Sequence, residues 1–146
     1  LVARGILTRE QVSLQSIRRW LKSNPEEAQA LMNKNKSYVF FRAIHGPGPI
    51  GAQGVPLTPG HSLATDNRFV PLGTPVWLDT TNPVSPKVPL RRLVIAQDTG
   101  GAIKGAVRAD LFWGAGQVAR QGAGHMKENG RLYLLLPRAA LQGLEN

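Results

Sequence analysis

Helical spacing is confined to the first 35 residues. From Ser37 onward the chain turns to short β-branched and aromatic runs cut by glycine and proline. This texture constrains the fold most, because proline removes a ladder donor and glycine favours turns, so every later element must be short. Sixteen glycines and eleven prolines in 146 residues exceed the roughly 12% of average usage. The pattern predicts strands over 38–43, 62–65, 75–79, 93–98 and 131–136, hence a mainly β fold preceded by a short helical segment. In the helical part, Leu14, Ile17, Trp20 and Leu21 share one face behind a Ser13 cap. Residues 23–27 break that helix and start a second, running through Met32, with Asn24 as cap, Pro25 at the first position and Glu26 and Glu27 in the first turn. The length suits one domain, read as a helical lead-in over 1–35, a β domain over 36–138 and a tail over 139–146. Residues 46–56 must be loop, and a loop this long is usually functional or a linker. Residues 80–91 read as a second, proline-rich surface excursion.

Eighteen Lys and Arg against nine Asp and Glu leave a net charge of +9. Such a surplus attracts polyanions, anionic membranes or acidic wall polymers without choosing among them. The basic residues are scattered or paired (Arg18-Arg19, Arg91-Arg92), so no basic arm points to nucleic acid. The absence of cysteine excludes disulfides, zinc-thiolate sites, thiol nucleophiles and a lipid-bearing cysteine within this segment. No stretch approaches the roughly 20 apolar residues of a membrane-spanning helix. Leu1 to Gly5 carry neither an initiating Met nor a signal-peptide pattern, and the start reads as a cut end.

Acids are scarce, which narrows the search for chemistry. Asp98 closes the apolar run from Leu93 to Gln97 and precedes Gly100 and Gly101; it either caps that turn or meets a ligand that the glycines let approach. Asp110 precedes Leu111, Phe112 and Trp113. These neighbours could desolvate its carboxyl and keep a proton on it, as a general acid requires; alternatively, Arg108 could pair with it and keep it charged. Hydrolase, metal and nucleotide patterns do not compete. Ser62 lacks the glycines of a nucleophile elbow, His45, His61 and His125 lack metal spacing, and 100–105 lacks the closing Lys-Ser/Thr of a phosphate loop. Trp77, in a strand, reads as core; Trp113, beside Asp110, is the better candidate for stacking on a sugar.

Leu63-Ala64-Thr65-Asp66, Val70-Pro71-Leu72-Gly73-Thr74-Pro75-Val76-Trp77, Ala96-Gln97-Asp98-Thr99-Gly100-Gly101-Ala102-Ile103-Lys104-Gly105 and Arg108-Ala109-Asp110 form an ordered set of motifs. The set resembles the 3D domain, named for three aspartates, of the membrane-bound lytic murein transglycosylase A family. Asn35 to Arg42 and Phe112-Trp113-Gly114-Ala115-Gly116 extend the resemblance over nearly the whole chain. Two positions depart from the pattern: Thr65 stands where an apolar residue is expected and His61 where arginine is common.

The resemblance implies a double-psi β-barrel with an inserted domain. It also implies a carbon–oxygen lyase that cleaves the β-1,4 bond between N-acetylmuramic acid and N-acetylglucosamine of peptidoglycan, leaving a 1,6-anhydromuramoyl end. Asp110 then matches the catalytic acid and Asp98 its supporting aspartate, while Asp66, Gly100, Gly101, Lys104 and Trp113 are expected on the substrate side. The substrate's own C6 hydroxyl is the nucleophile, so one carboxyl can serve as acid and then as base, with no metal and no cofactor required. The resemblance further implies a monomer in the periplasm, associated with the outer membrane through an anchor ahead of this segment. An export signal, a lipid-bearing cysteine, the first barrel strands and most of the inserted domain are expected to precede Ser13. The segment alone would then lack one wall of its groove and bind glycan weakly. Two rivals stand beside this reading: a non-catalytic, expansin-like wall-binding module and a two-carboxylate glycan hydrolase.

Overall fold

A computed structural model describes residues 1–41 and 43–141. The chain divides into two compact units, Leu1–Ala43 and a second beginning at Ile44. In the first, a 3-10 turn at Val2–Arg4 precedes helix α1 (Leu14–Ser23) and helix α2 (Pro25–Met32). Ser13 and Ser16 form a reciprocal cap on α1, each side-chain oxygen accepting from the other's backbone N–H at 3.0 and 2.9 Å. Asn24 does not cap α2 with its side chain; its amide donates to the Trp20 carbonyl and closes the end of α1. Ile17, Trp20 and Leu21 are half-buried, whereas Leu14 is exposed.

The strand expected over 38–43 does not form among the described residues, and Arg42 lies outside them. Tyr38, Phe40 and Phe41 are exposed. Their β-propensity is high, but a strand exists only where a ladder partner takes its backbone groups, and this stretch has none among the described residues.

The second unit is a curled half-barrel, consistent with a double-psi β-barrel. Its sheet comprises β1 (Ser62–Thr65), β2 (Pro75–Thr81), β3 (Pro89–Asp98), β4 (Ala109–Leu111) and β5 (Gly130–Leu134) in the order β4-β1-β3-β2-β5. β1 and β3 run parallel; the other pairings are antiparallel. Alternation along β2 sends Val76, Leu78 and Thr80 inward. Leu63, Val70, Val76, Leu78, Val94 and Ala96 make the core, with Ala109, Leu111 and Leu132 packed against it. Thr65 is buried, and its hydroxyl donates to the Val70 carbonyl at 3.2 Å, which accounts for a polar residue at that position.

Four expectations change. The excursion over 80–91 shrinks to 82–88, because β2 and β3 pair as far as Thr81 and Pro89 and bury Leu90. Trp77 belongs to the outer face rather than the core: it is 40% exposed, between the outward-facing Leu93 and Tyr133. β4, only three residues long, escapes periodicity altogether. Helix α3 (Gly116–His125) was hidden by its three glycines; at Gly122 a side chain would collide with the Trp113 ring, so packing there overrides propensity.

Leu63 is fully buried at the centre of the core. Leu63→Ala is expected to cost roughly 2–5 kcal/mol of stability, measurable as a lowered midpoint in urea with an unchanged slope.

Candidate active site

The site is built on a register shift. β1 and β3 pair Ser62 with Ile95 and Leu63 with Ala96, and then Ala64 with Asp98, so that Gln97 is an extra residue on β3. The bulge brings Asp98, not Gln97, opposite Ala64. On the other side, β4 pairs Asp110 with the same Ala64. Asp98 and Asp110 therefore flank Ala64, the backbone of each a single strand spacing of about 4.8 Å from that of Ala64. Asp98, Asp110 and Ala64 line one cavity of about 250 Å³, walled by Leu57, Ile103 and Phe112.

Gln97 is held on all sides. Its side-chain oxygen accepts from the buried Ser62 hydroxyl at 2.6 Å, and its carbonyl accepts from Gln53 N–H at 3.0 Å. The loop carrying Gln53 packs over the bulge, and Ala52 N–H donates to Asp98 Oδ1 at 3.0 Å. Gly51 sits against the Gln97 carbonyl and the Leu57 side chain so closely that a Cβ would overlap both. Sequence reasoning marked this loop as functional or linker and missed its anchor; the one signal was a glycine-rich stretch with no strand of its own to serve.

Of the two readings of Asp110, the structure takes the ion pair. Arg108 donates from Nε to Oδ1 at 2.8 Å and from Nη2 to Oδ2 at 3.3 Å. Both side chains are about half exposed, 53% for Arg108 and 50% for Asp110, so the carboxylate lies at the mouth rather than in an apolar pocket. Asp110 still lines the same cavity as Asp98. Asp110 also lines a second cavity of about 520 Å³, bordered by Arg108, Trp113, Met126, Lys127 and Glu128.

The other sequence-derived residues disperse. Asp66 is buried and lines neither cavity. Arg68 forks it from Nε and Nη2 at 3.0 and 2.6 Å, and Gly105 N–H adds a bond at 2.9 Å. The Arg68 hydrogen bonds, then that of Gly105, hold the Asp66 carboxyl far below the usual carboxylate range. Gly105 has φ 97°, a conformation few side chains accept. Asp66 thus ties the 99–105 turn to the end of β1. Gly100 packs on Ile103, and Gly101 and Lys104 are exposed. Trp113 covers Gly122 of α3 with its ring and faces the second cavity instead of the first. Among the described residues no cluster of three or more His, Asp or Glu could hold a metal ion.

Comparison with known proteins gives this geometry its context. The MltA specific insert domain matches residues 1–42 and the 3D domain matches residues 61–136. The chain belongs to the membrane-bound lytic murein transglycosylase A family. It is 37% identical to membrane-bound lytic murein transglycosylase A of Vibrio cholerae, over all of this chain and 39% of that protein. The solved lytic transglycosylase LtgG of Burkholderia pseudomallei is 51% identical, with 94% of this chain and 42% of that one aligned and a TM-score of 0.64. Escherichia coli MltA, solved with bound chitohexaose, is 32% identical over 92% of this chain and 41% of that one, with a TM-score of 0.80. The chain therefore spans about two fifths of the length of the relatives it matches.

Two outcomes follow from the site's construction. Asp66→Asn is expected to lower the melting temperature at pH 7. A depressed native pKa stabilises above the unfolded value of about 3.9 and is lost as pH falls below it, so the deficit should shrink in melts below pH 4. Asp98→Asn keeps an oxygen for the Ala52 N–H and should melt like the wild type, whereas Asp98→Ala frees the loop and should melt lower.

Proposed function

We propose that the protein is a peptidoglycan lytic transglycosylase, a carbon–oxygen lyase acting on the β-1,4 bond between N-acetylmuramic acid and N-acetylglucosamine. The observation that carries this reading is the pair of aspartates on either side of Ala64 at one cavity. The names of the relatives support it, as does the chitohexaose bound to the E. coli protein.

In the reaction, Asp110 donates a proton to the glycosidic oxygen as the C1–O bond breaks, and the N-acetylglucosamine hydroxyl leaves. The C6 hydroxyl of the muramoyl residue then attacks C1 and returns its proton to Asp110. The aspartate is regenerated, no water is consumed, and a 1,6-anhydro ring remains. Intramolecular attack supplies much of the rate by proximity. Asp98, held by Ala52, faces the positive charge developing at the sugar ring. A cavity of about 250 Å³ falls just under the roughly 300 Å³ at which small-molecule sites begin. It suits the scissile unit, with the rest of the strand lying across the open surface. Residues 1–35 are assigned to the end of an inserted domain. The reading includes a periplasmic location, a monomer and association with the outer membrane, the last supported by the name of the relatives.

The presence of two carboxylates at one cavity also favours one rival, hydrolysis by an acid and a base. The products separate the two: lysis by transglycosylation leaves anhydro ends, hydrolysis leaves reducing ends. With the protein at its full encoded length, mass spectrometry of digested murein should find anhydromuropeptides. Asp110→Asn should reduce their release on the order of 10²–10⁴-fold with an unchanged melting curve. Substantial activity in that variant would reject the assignment.

A further inference from the structure

The acid step and the observed ion pair make opposing demands on Asp110, and their conflict identifies a selectivity device. Both carboxylate oxygens are engaged by Arg108, yet one of them must carry a proton and face the glycosidic oxygen. A guanidinium forked onto a carboxylate occupies the lone pairs the reaction needs. The charged groups around Asp110 are few. Asp98 approaches from β3 across Ala64, Arg108 from the chain entering β4, and Lys127 and Glu128 from the segment after α3; β1 presents only Ala64. None of these removes Arg108 from Asp110, so the substrate must.

The surroundings of Arg108 indicate which part of the substrate does so. Arg108 and Lys127 border the second cavity together with Glu128 and Asn129, beside the apolar Leu111, Trp113 and Met126. Two cations and the Glu128 carboxylate beside an apolar wall suit a short chain that carries carboxylates and an amine. The peptide substituents of murein have that character, and a bare chitooligosaccharide has none. A half-exposed pair is readily exchanged, because water already competes for both partners, and a substrate carboxylate can accept the same fork.

Resting on the transglycosylase reading, we propose that Arg108 is a positioning and specificity residue. It forks Asp110 until a peptide carboxylate of the substrate, seated in the second cavity, takes the guanidinium over and frees Asp110 to act as acid. The protein therefore prefers peptide-bearing glycan over the same glycan stripped of peptide.

The test compares kcat/KM on the two glycans, using the protein at its full encoded length. The wild type should favour the peptide-bearing glycan by about tenfold, the scale of one charge-assisted contact. In Arg108→Gln that ratio should fall towards one. Arg108→Lys, which keeps the charge but not the fork, should fall between. Anhydro products with the same ratio in wild type and Arg108→Gln would overturn this inference alone; their absence from the wild type would overturn the transglycosylase reading with it. If the variants fold poorly, NMR of the wild type decides: a disaccharide-peptide should shift the Arg108 Nε–H resonance while a chitooligosaccharide of equal length leaves it in place. Equal shifts, or none, would overturn the proposal.

Discussion

The extra residue in β3 is the constraint on which the site depends. Had β1 and β3 continued in register after Leu63 and Ala96, Gln97 would stand opposite Ala64 and Asp98 would fall one place further on. Inserting Gln97 sets Asp98 beside Ala64, and a three-residue strand on the other edge of β1 suffices to set Asp110 there too. A bulge persists only where its unpaired groups find partners. Here the Gln53 N–H takes the Gln97 carbonyl, while the Ser62 hydroxyl holds the Gln97 side chain, so the loop over 46–56 supports the position of Asp98.

The three aspartates divide the work according to their surroundings. Asp66, buried under Arg68 and Gly105, spends its charge on structure and holds the turn that follows Asp98. Asp98 is half-buried and tethered through one oxygen by a backbone donor. Asp110 is half exposed and held only by a side chain that can leave. Freedom of the carboxyl group increases from the first to the third, in the order expected if the last must exchange a proton with a substrate.

Much of this was legible in the residues, and the failures have physical causes. Scarcity of acids and the Gly100-Gly101 turn singled out Asp98 and Asp110, and the helix boundaries at Ser13, Pro25 and Met32 followed from capping and dipole chemistry. Ala64 was not legible as the element between the aspartates, because strand pairing with a bulge is a non-local fact that no spacing encodes. Asp66 was grouped with the substrate residues because a motif records identity and not burial. Trp77 was misplaced because a tryptophan in a strand is ambiguous between faces until the register is known. Tyr38 to Phe41 shows the converse: strong local preference without a partner yields no strand. For α3, the glycine that lowered its helical signal is the one that admits the Trp113 ring.

If a sugar unit sits over Ala64 between the two aspartates, as proposed, filling that floor should expel it. Ala64→Leu adds bulk to the cavity that Asp98 and Asp110 line while both aspartates and the buried Leu63 and Thr65 stay in the sequence. In calorimetric titrations with a chitooligosaccharide, this substitution should abolish binding while thermal melting and the Ala52–Asp98 contact persist. Undiminished affinity in a folded Ala64→Leu protein would contradict it.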